Sequence, residues 1–294
     1  MAGESENSMN HFLKHFNNAP GCLLIILKIL FNHWDGVMIA GAFALLFHYA
    51  NSNFINSSLE KFTIKKQIEI IWVLLSLLSS IIALYYVYLP DHLYRRFLFM
   101  MLTSFPTHNI WHLIWIVMIT DFVLKFICII IKCVISLIPS YQKDLWHKGS
   151  TYLVIEYLFQ IYRMIAPMTP YVLFLTSVDP LLDSHWFNAV LVILYIVIKA
   201  YYLYEKISEF INDLKHIDLR LDMCRAYNGI DEFCSICHNK FNEPLILPCG
   251  DVFCKNCLIR SIMRYSLCPL CDNVVYFKKI QWRNGQTQAF MQLY

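Results

Sequence analysis

Residues 234–271 read CSICHNKFNEPLILPCGDVFCKNCLIRSIMRYSLCPLC and contain seven of the eleven cysteines of this 294-residue chain. Six of the seven form short pairs with two residues between the members, namely Cys234/Cys237, Cys254/Cys257 and Cys268/Cys271. This spacing lets both sulfurs of a tight turn reach one tetrahedral Zn²⁺ at about 2.3 Å. Cys249 and Asp251 form a fourth, wider pair. The repeated spacing of the cysteine pairs predicts a zinc-binding domain, because cysteines that are merely buried do not recur at such regular intervals.

The remaining four cysteines are scattered singly, at Cys22, Cys128, Cys133 and Cys224. A disulfide framework is typical of small secreted domains, whereas this chain is neither small nor rich in cysteine outside one segment. Metal binding in a reducing compartment is therefore the better interpretation.

The cysteine pattern resembles a RING finger, in which eight ligands bind two zinc ions in a cross-brace. The resemblance implies two sets of zinc ligands: Cys234, Cys237, Cys254 and Cys257 for the first ion, and Cys249, Asp251, Cys268 and Cys271 for the second. Position 251 is aspartate where the RING pattern has histidine. An aspartate oxygen ligates zinc at about 2.0–2.2 Å, but it adds a negative charge, so weaker or more pH-sensitive binding is expected there. His238 is a substitute by residue type, although its position is wrong.

Further segments resemble the RING finger and transmembrane domain-containing family. They are the tail FKKIQWRNGQTQAFMQLY at 277–294, TDFVLK at 120–125, KCVISLIP at 132–139 and IEYLFQIYR at 155–163. The likeness covers most of the chain from about residue 20. It implies a multi-pass ubiquitin ligase of the endoplasmic reticulum.

The composition indicates that lipid is the main solvent of this chain. Hydrophobic residues make up 58% and charged residues 15%, against about 45–50% and about 25% in typical soluble domains. The net charge of +3 is too small to argue for nucleic acid. Residues 1–20 are polar, and no cleavable signal peptide is evident, so an internal span is expected to direct membrane entry.

A membrane span needs about 20 mostly apolar residues, and five or six segments qualify. The candidates are Ile68–Leu89, Trp186–Tyr204, Val37–Tyr49 (preceded by Leu23–Phe31 as an interfacial helix or as half of a helical hairpin), Ile110–Phe126 with an amphipathic continuation to Pro139, and Thr151–Thr176. Pro167 and Pro170 are expected to kink or stop the last of these helices.

The distribution of basic residues predicts the topology. The loop Ser177–His185 has two aspartates and no Lys or Arg, which indicates the lumen. The segments Lys143–Lys148 and Lys206 onward are basic, which places the cysteine-rich region in the cytosol. Drawing five spans puts Arg95 and Arg96 on the luminal side, and this conflict stays open.

The predicted fold is thus a multi-pass α-helical membrane domain followed by a small cytosolic cross-brace zinc RING domain. Its predicted parts are a polar tail at 1–20, the transmembrane domain at 21–204, an amphipathic connecting helix at 205–230, the RING-type zinc finger at 231–274 and a C-terminal tail at 275–294.

A RING ligase forms no covalent intermediate, so no catalytic nucleophile is expected. It binds a ubiquitin-charged conjugating enzyme and orients the thioester, and proximity is the catalytic contribution. By resemblance, five residues would form the surface that binds the conjugating enzyme: Ile236, Leu247, Pro248, Pro269 and Leu270. The alternative is that these residues pack the small core. Other expected partners are ubiquitin, the lipid bilayer and membrane-protein substrates.

Two more positions depart from the pattern of active RING domains. Ser261 stands where many have a tryptophan that contacts the conjugating enzyme, and Asp272 stands where an arginine often bridges to ubiquitin. An aspartate carboxylate cannot donate that hydrogen bond. Together with Asp251, these residues leave open a weak or inactive RING adaptor that recruits partners at the membrane.

Charged residues also occur inside the predicted spans. Asp121 and Lys125 are four residues apart, and Glu156 and Arg163 are seven apart, so each pair shares one helix face. In the structural interpretation these charged residues stabilise the packing of one span on another. In the functional interpretation they form a polar groove that recognises misassembled membrane substrates. A transporter is disfavoured because only one span is interrupted by proline. His108 and His112, also four apart, lack a third ligand nearby and are read as interfacial.

Overall fold

The computed structural model describes residues 24, 28, 31–59, 63–87, 110–139, 145–176, 185–215, 224–227, 233–265, 267–274 and 282–290. Most of Leu23–Phe31, the pair Arg95 and Arg96, His108, Lys143 and most of the predicted luminal loop lie outside them. The chain divides into two compact units, 1–45 and 46–294. The described part of the first unit is helical, apart from a turn at His33, and contains the beginning of the first long helix.

In the described residues, six helices precede the cysteine-rich region. They are α1 (Trp34–Leu59), α2 (Ile64–Val87), α3 (Ile110–Leu137), α4 (Leu145–Ile165), α5 (Met168–Thr176) and α6 (His185–Lys215). Three of them are long and apolar enough to cross a membrane: α2, α3, and α6 from Trp186, with mean hydropathies of 2.3, 2.5 and 1.8. The described residues therefore contain three candidate membrane helices ahead of the C-terminal region.

The third helix, α3, lies at the centre of the membrane domain. It contacts α2, α4 and α5, and 61% of its most apolar window is buried, against 6% for α6. The helix runs unbroken through the predicted amphipathic continuation to Leu137, and Lys132 in that part is buried.

The predicted proline break is confirmed. The last helical hydrogen bond before it runs from the amide of Ala166 to the carbonyl of Tyr162 at 2.8 Å. Pro167 has no amide hydrogen to continue the ladder, so α4 ends at Ile165 and α5 begins at Met168.

The predicted boundary at residue 204 does not interrupt α6, which runs on to Lys215. Beyond it, Arg225–Ala226 (β1) is a strand rather than helix and opens an antiparallel sheet of order β1-β2-β3. The other strands are Pro244–Ile246 (β2) and Val252–Cys254 (β3), and helix α7 (Lys255–Tyr265) follows directly.

One face of α7 packs in the zinc domain and the other packs on the membrane domain. Leu258 and Ile262 belong to the core of the zinc domain. Ile259 and Met263 each follow one of these residues directly, about 100° around the helix, and they join Leu59 and Leu145 in a separate buried cluster at the end of α1 and the start of α4. The domain is thus seated directly on two membrane-domain helices.

Candidate metal centre

Two similar turns carry the outer cysteine pairs. In the first, the amide of His238 donates to the carbonyl of Cys234 at 2.8 Å, and the amide of Cys234 donates to the carbonyl of Asn239 at 3.0 Å. The backbone of His238 is left-handed, with φ of 54°. The turn folds both thiols to the same side, as the two-residue spacing predicts.

The second turn repeats this pattern. The amide of Asp272 donates to the carbonyl of Cys268 at 3.1 Å, and the amide of Cys268 donates to the carbonyl of Asn273 at 2.9 Å. The φ of Asp272 is again 54°. His, Asn and Asp are the non-glycine residues enriched in this region, so the type of residue at 272 suits its backbone.

The hairpin between β2 and β3 presents Cys249 and Asp251. The amide of Leu247 donates to the carbonyl of Asp251 at 2.9 Å, and the amide of Gly250 donates to the carbonyl of Leu247 at 2.9 Å. Gly250 has φ of 92°, which L side chains rarely adopt. The reversed direction of the chain at Gly250 brings the residues on either side of it to one point.

The ligand atoms of the structure form two clusters. Cys234, Cys237, Cys254 and Cys257 form one, and Cys249, Asp251, Cys268 and Cys271 form the other, with all candidate atoms of each within 4.8 Å of one another. These are the two sets that the resemblance implied. His238 is in neither of these clusters.

The distances fit tetrahedral zinc. Sulfurs at about 2.3 Å from one ion are about 3.8 Å apart in a tetrahedron. The Sγ atoms of Cys237 and Cys254 are 4.0 Å apart, and those of Cys249 and Cys268 are 3.7 Å apart. The Oδ2 atom of Asp251 lies 3.3 Å from the Sγ of Cys249 and 3.1 Å from that of Cys268. The carboxylate thus points into the second cluster, and both clusters are compatible with zinc.

The thiols of the first cluster differ in acidity. Burial raises the pKa of Cys234, but hydrogen bonds from the backbone amides of Cys254, Cys237 and Ile236 more than offset this and lower its pKa to about 7. Burial and the neighbouring Cys234 thiolate raise the pKa of Cys257 to about 12. Cys234 is therefore the first of the two to ionise, and zinc must displace the proton of Cys257.

In the second cluster the carboxylate of Asp251 is the group that is ionised before zinc binds. Hydrogen bonds from the thiols of Cys268, Cys271 and Cys249 lower the pKa of Asp251 below its ordinary value of 3.8. Burial raises the pKa of Cys268 to about 12. A cation that enters here meets an ionised oxygen and displaces thiol protons.

The residues predicted to bind a conjugating enzyme do not all lie on one surface. Ile236 is 38% exposed and Leu270 is 62% exposed, and Pro269 and Pro248 are exposed as well. Leu247 is 2% exposed and packs in the core of the zinc domain. Its side chain faces inward because it follows β2 two residues after Leu245, and alternate residues share a face. Leu247 therefore offers no surface to a partner.

The charges inside the membrane domain form ion pairs across helices. Asp121 pairs with Lys125 at 2.8 Å, as their spacing predicts, and also with Arg163 at 2.6 Å. Glu156 pairs with Lys132 at 2.7 Å. Glu156 and Arg163 share a helix, but each finds its counter-charge on α3. The sequence identified the charges but not these partners.

Comparison with known proteins agrees with this geometry. The zinc finger, C3HC4 type (RING finger), family matches residues 233–271. Human E3 ubiquitin-protein ligase RNFT1 is 29% identical over 94% of this chain, and human E3 ubiquitin-protein ligase RNFT2 is 30% identical over 94%. Mouse RING finger and transmembrane domain-containing protein 2 is also 30% identical over 94%. This chain spans 64% of the first of these relatives and 62% of the other two. No solved structure matches.

Proposed function

Since the chain is homologous to the RING finger and transmembrane domain-containing proteins over 94% of its length, we propose that it is a membrane-anchored RING-type ubiquitin ligase. The observation that carries the proposal is the surface between the two metal clusters. Ile236 lies between the first two cysteines and Leu270 between the last two, and both side chains are exposed. Large apolar side chains on two loops that zinc would hold in place suit a partner with a complementary apolar surface.

The proposed mechanism is positioning. The chain's own residues contribute no nucleophile. Ile236, Pro269 and Leu270 hold the conjugating enzyme, and the orientation of its ubiquitin thioester toward a substrate lysine supplies the rate enhancement. Zinc, when bound, cross-links the loops that carry these residues. Pro248 extends the surface from the hairpin.

The seat of the RING on α1 and α4 supports transfer to membrane or membrane-proximal substrates. Ile259 and Met263 are buried against Leu59 and Leu145. The bound conjugating enzyme would therefore work close to the bilayer. We place this activity in protein quality control at the endoplasmic reticulum, as the resemblance implies, with the RING in the cytosol.

The same contacts support five crossings by the described helices. The end of α1 and the start of α4 both adjoin the RING. If α6 also ends on the RING side, α4 and α5 together cross away from it and α6 returns. The crossings are then α1, α2, α3, the α4–α5 pair and α6. Residues 177–184 then lie on the far side, in agreement with their lack of basic residues.

A non-catalytic adaptor is the second candidate, and Asp272 favours it. The exposed carboxylate follows the last cysteine directly, and it cannot donate a hydrogen bond to ubiquitin. Ser261, on α7, is half-buried and offers little contact area.

Discharge of ubiquitin to free lysine separates the two candidates. The zinc-loaded full chain in lipid nanodiscs is mixed with a panel of charged conjugating enzymes. We expect stimulated discharge, lost in Ile236→Ala and retained in Leu158→Ala, a matched exposed apolar residue on α4. If the wild type binds a conjugating enzyme but discharges none, and Asp272→Arg restores discharge, the chain is an adaptor. Zinc content is checked in that variant, because arginine is disfavoured at φ of 54°.

A further inference from the structure

The C-terminal segment 284–290 lies in a polar groove between α1, α3 and α4. Lys132 Nζ donates to the carbonyls of Gly285 at 3.1 Å and Gln286 at 3.0 Å. Lys125 Nζ donates to the carbonyl of Ala289 at 2.8 Å, and Arg163 Nη2 donates to that of Phe290 at 2.8 Å.

The groove also accepts hydrogen bonds from the segment. The amide of Thr287 donates to Asn51 Oδ1 at 2.9 Å, and the amide of Gln288 donates to Glu156 Oε1 at 2.9 Å. The side chain of Thr287 is 1% exposed and contacts Cys128 and Lys132 Nζ, the latter at 2.9 Å from its Oγ1. The six hydrogen bonds of Lys125, Arg163, Asn51 and Glu156, and of Lys132 to Gly285 and Gln286, reach main-chain atoms that every polypeptide has.

The charge of the groove matches a main-chain ligand. It holds three cations, Lys125, Lys132 and Arg163, but two carboxylates, Asp121 and Glu156. These five side chains are buried. The additional positive charge is satisfied by carbonyl oxygens of the segment, which carry the negative end of the peptide dipole. A helix could not take this place, because its carbonyls are already bonded to its own amides.

The groove reaches far into the membrane domain. Lys125 lies twelve residues before the end of α3 at Leu137, which is about 18 Å at 1.5 Å per residue. At such depth no water is present to hydrogen-bond an unpaired backbone group, so a groove that pairs such groups favours a segment with free carbonyls and amides. The side chain of Phe290, by contrast, is 81% exposed and adds little to recognition.

We propose that this groove is a binding site for extended polypeptide segments, of which residues 284–290 are the resident, exchangeable occupant. The incoming ligand is an unpaired, extended segment of another membrane protein. Such a segment carries the carbonyls and amides that the groove binds, and it needs a glycine at the position of Gly285, where a Cβ would lie 2.7 Å from Phe54 Cε1. The resident segment competes from the same chain at an effective concentration in the millimolar range. Binding here does not depend on ubiquitin transfer.

The test uses the full chain in nanodiscs and a synthetic peptide, Trp-Arg-Asn-Gly-Gln-Thr-Gln-Ala-Phe, which repeats residues 282–290 with a photoreactive group at the exposed alanine position. The variant Gln288→Pro loosens the resident segment by removing the amide that Glu156 accepts. We expect at least tenfold more crosslinking to α3 and α4 in this variant than in the wild type. A peptide with residues 286–290 scrambled should crosslink within threefold of the first. A peptide with prolines at 287 and 288 should not.

Two results would overturn the proposal. One is that no peptide crosslinks to the loosened variant although hydrogen exchange shows α3 intact. The other is that the native sequence crosslinks and the scrambled one does not, which would make the groove a latch for its own tail. If Gln288→Pro does not fold, Thr287→Ala decides instead, because it removes the side-chain contact to Lys132 and leaves both amides in place.

Discussion

Replacing Lys132 with methionine removes the cation at the centre of the buried network. Its side chain has no exposed surface and pairs with Glu156, which is 1% exposed. Removing one partner of a buried pair leaves an uncompensated charge and typically costs about 3–5 kcal/mol. Lys132→Met should therefore lower the free energy of unfolding by that amount.

The double variant Lys132→Met/Glu156→Gln gives the decisive comparison. Glutamine keeps a carbonyl oxygen for the amides of Gln160 and Gln288 but carries no charge. The double variant should cost less than the sum of the two single variants by about 2–3 kcal/mol. It should not recover fully, because the carbonyl of Gly285 still lacks its donor.

The assay is reversible unfolding in mixed micelles, in which added denaturing detergent is titrated and helicity is followed by circular dichroism. The matched control is Lys66→Met, which breaks a pair with Glu69 that is partly exposed on both sides and should cost about 0–1 kcal/mol. If the costs of Lys132→Met and Glu156→Gln add up to the cost of the double variant within about 0.5 kcal/mol, Lys132 and Glu156 do not interact in the folded protein and the network described here is wrong.

Three further outcomes are expected. Gly250→Ala should cost about 1–2 kcal/mol, since alanine is strained at φ of 92°, and should lower zinc content measured by mass spectrometry, whereas Gly41→Ala, with open space around it, should not. Gly149→Ala places a methyl group 2.6 Å from Met263 Cε and should cost about 1–3 kcal/mol, with faster hydrogen exchange in α7. Asp251→His should release zinc more steeply as the pH falls below about 6.5. The lowered pKa of Asp251 keeps its carboxylate ionised down to its ordinary value of 3.8, whereas histidine adds a competing proton. This is the opposite of the more pH-sensitive binding that the sequence led us to expect for the aspartate, and equal slopes in a zinc titration at several pH values would contradict it.

The zinc domain could be predicted from sequence because its chemistry is local. Two residues between cysteines are enough to define a turn, and both outer turns have the same hydrogen bonds. The pair Asp121 and Lys125 was predictable for the same reason, since one helical turn joins them. The inward direction of the Leu247 side chain was also predictable from the sequence, because Leu245, two residues earlier, shares its face of the strand.

The partners of Glu156 and Arg163 were not predictable in this way. Their counter-charges are Lys132 and Asp121, which lie 24 and 42 residues away along the chain. The helical repeat of the sequence predicts contacts only between residues three or four positions apart, so it does not indicate these pairs. The position of residues 284–290 is even less predictable from local sequence, because it depends on a contact between Gly285 and Lys132, which are 153 residues apart. A polar tail after a zinc domain has the composition of solvent-exposed chain, and its burial depends on charges in helices that precede it.

The buried charges and the tail explain each other. Three cations and two carboxylates inside one membrane domain are costly as a set of helix–helix pairs, since Lys125 and Arg163 share Asp121 and the set keeps one excess positive charge. The carbonyl oxygens of Gly285, Gln286, Ala289 and Phe290 supply the acceptors, and they are available because residues 284–290 form neither helix nor strand. The same reasoning fixes the position of the RING domain. It follows α6, it rests on Leu59 and Leu145 through α7, and the chain that leaves it is held by Lys132 and Glu156. A conjugating enzyme bound at Ile236 would then be presented from one fixed direction relative to the membrane, rather than from the end of a free tether.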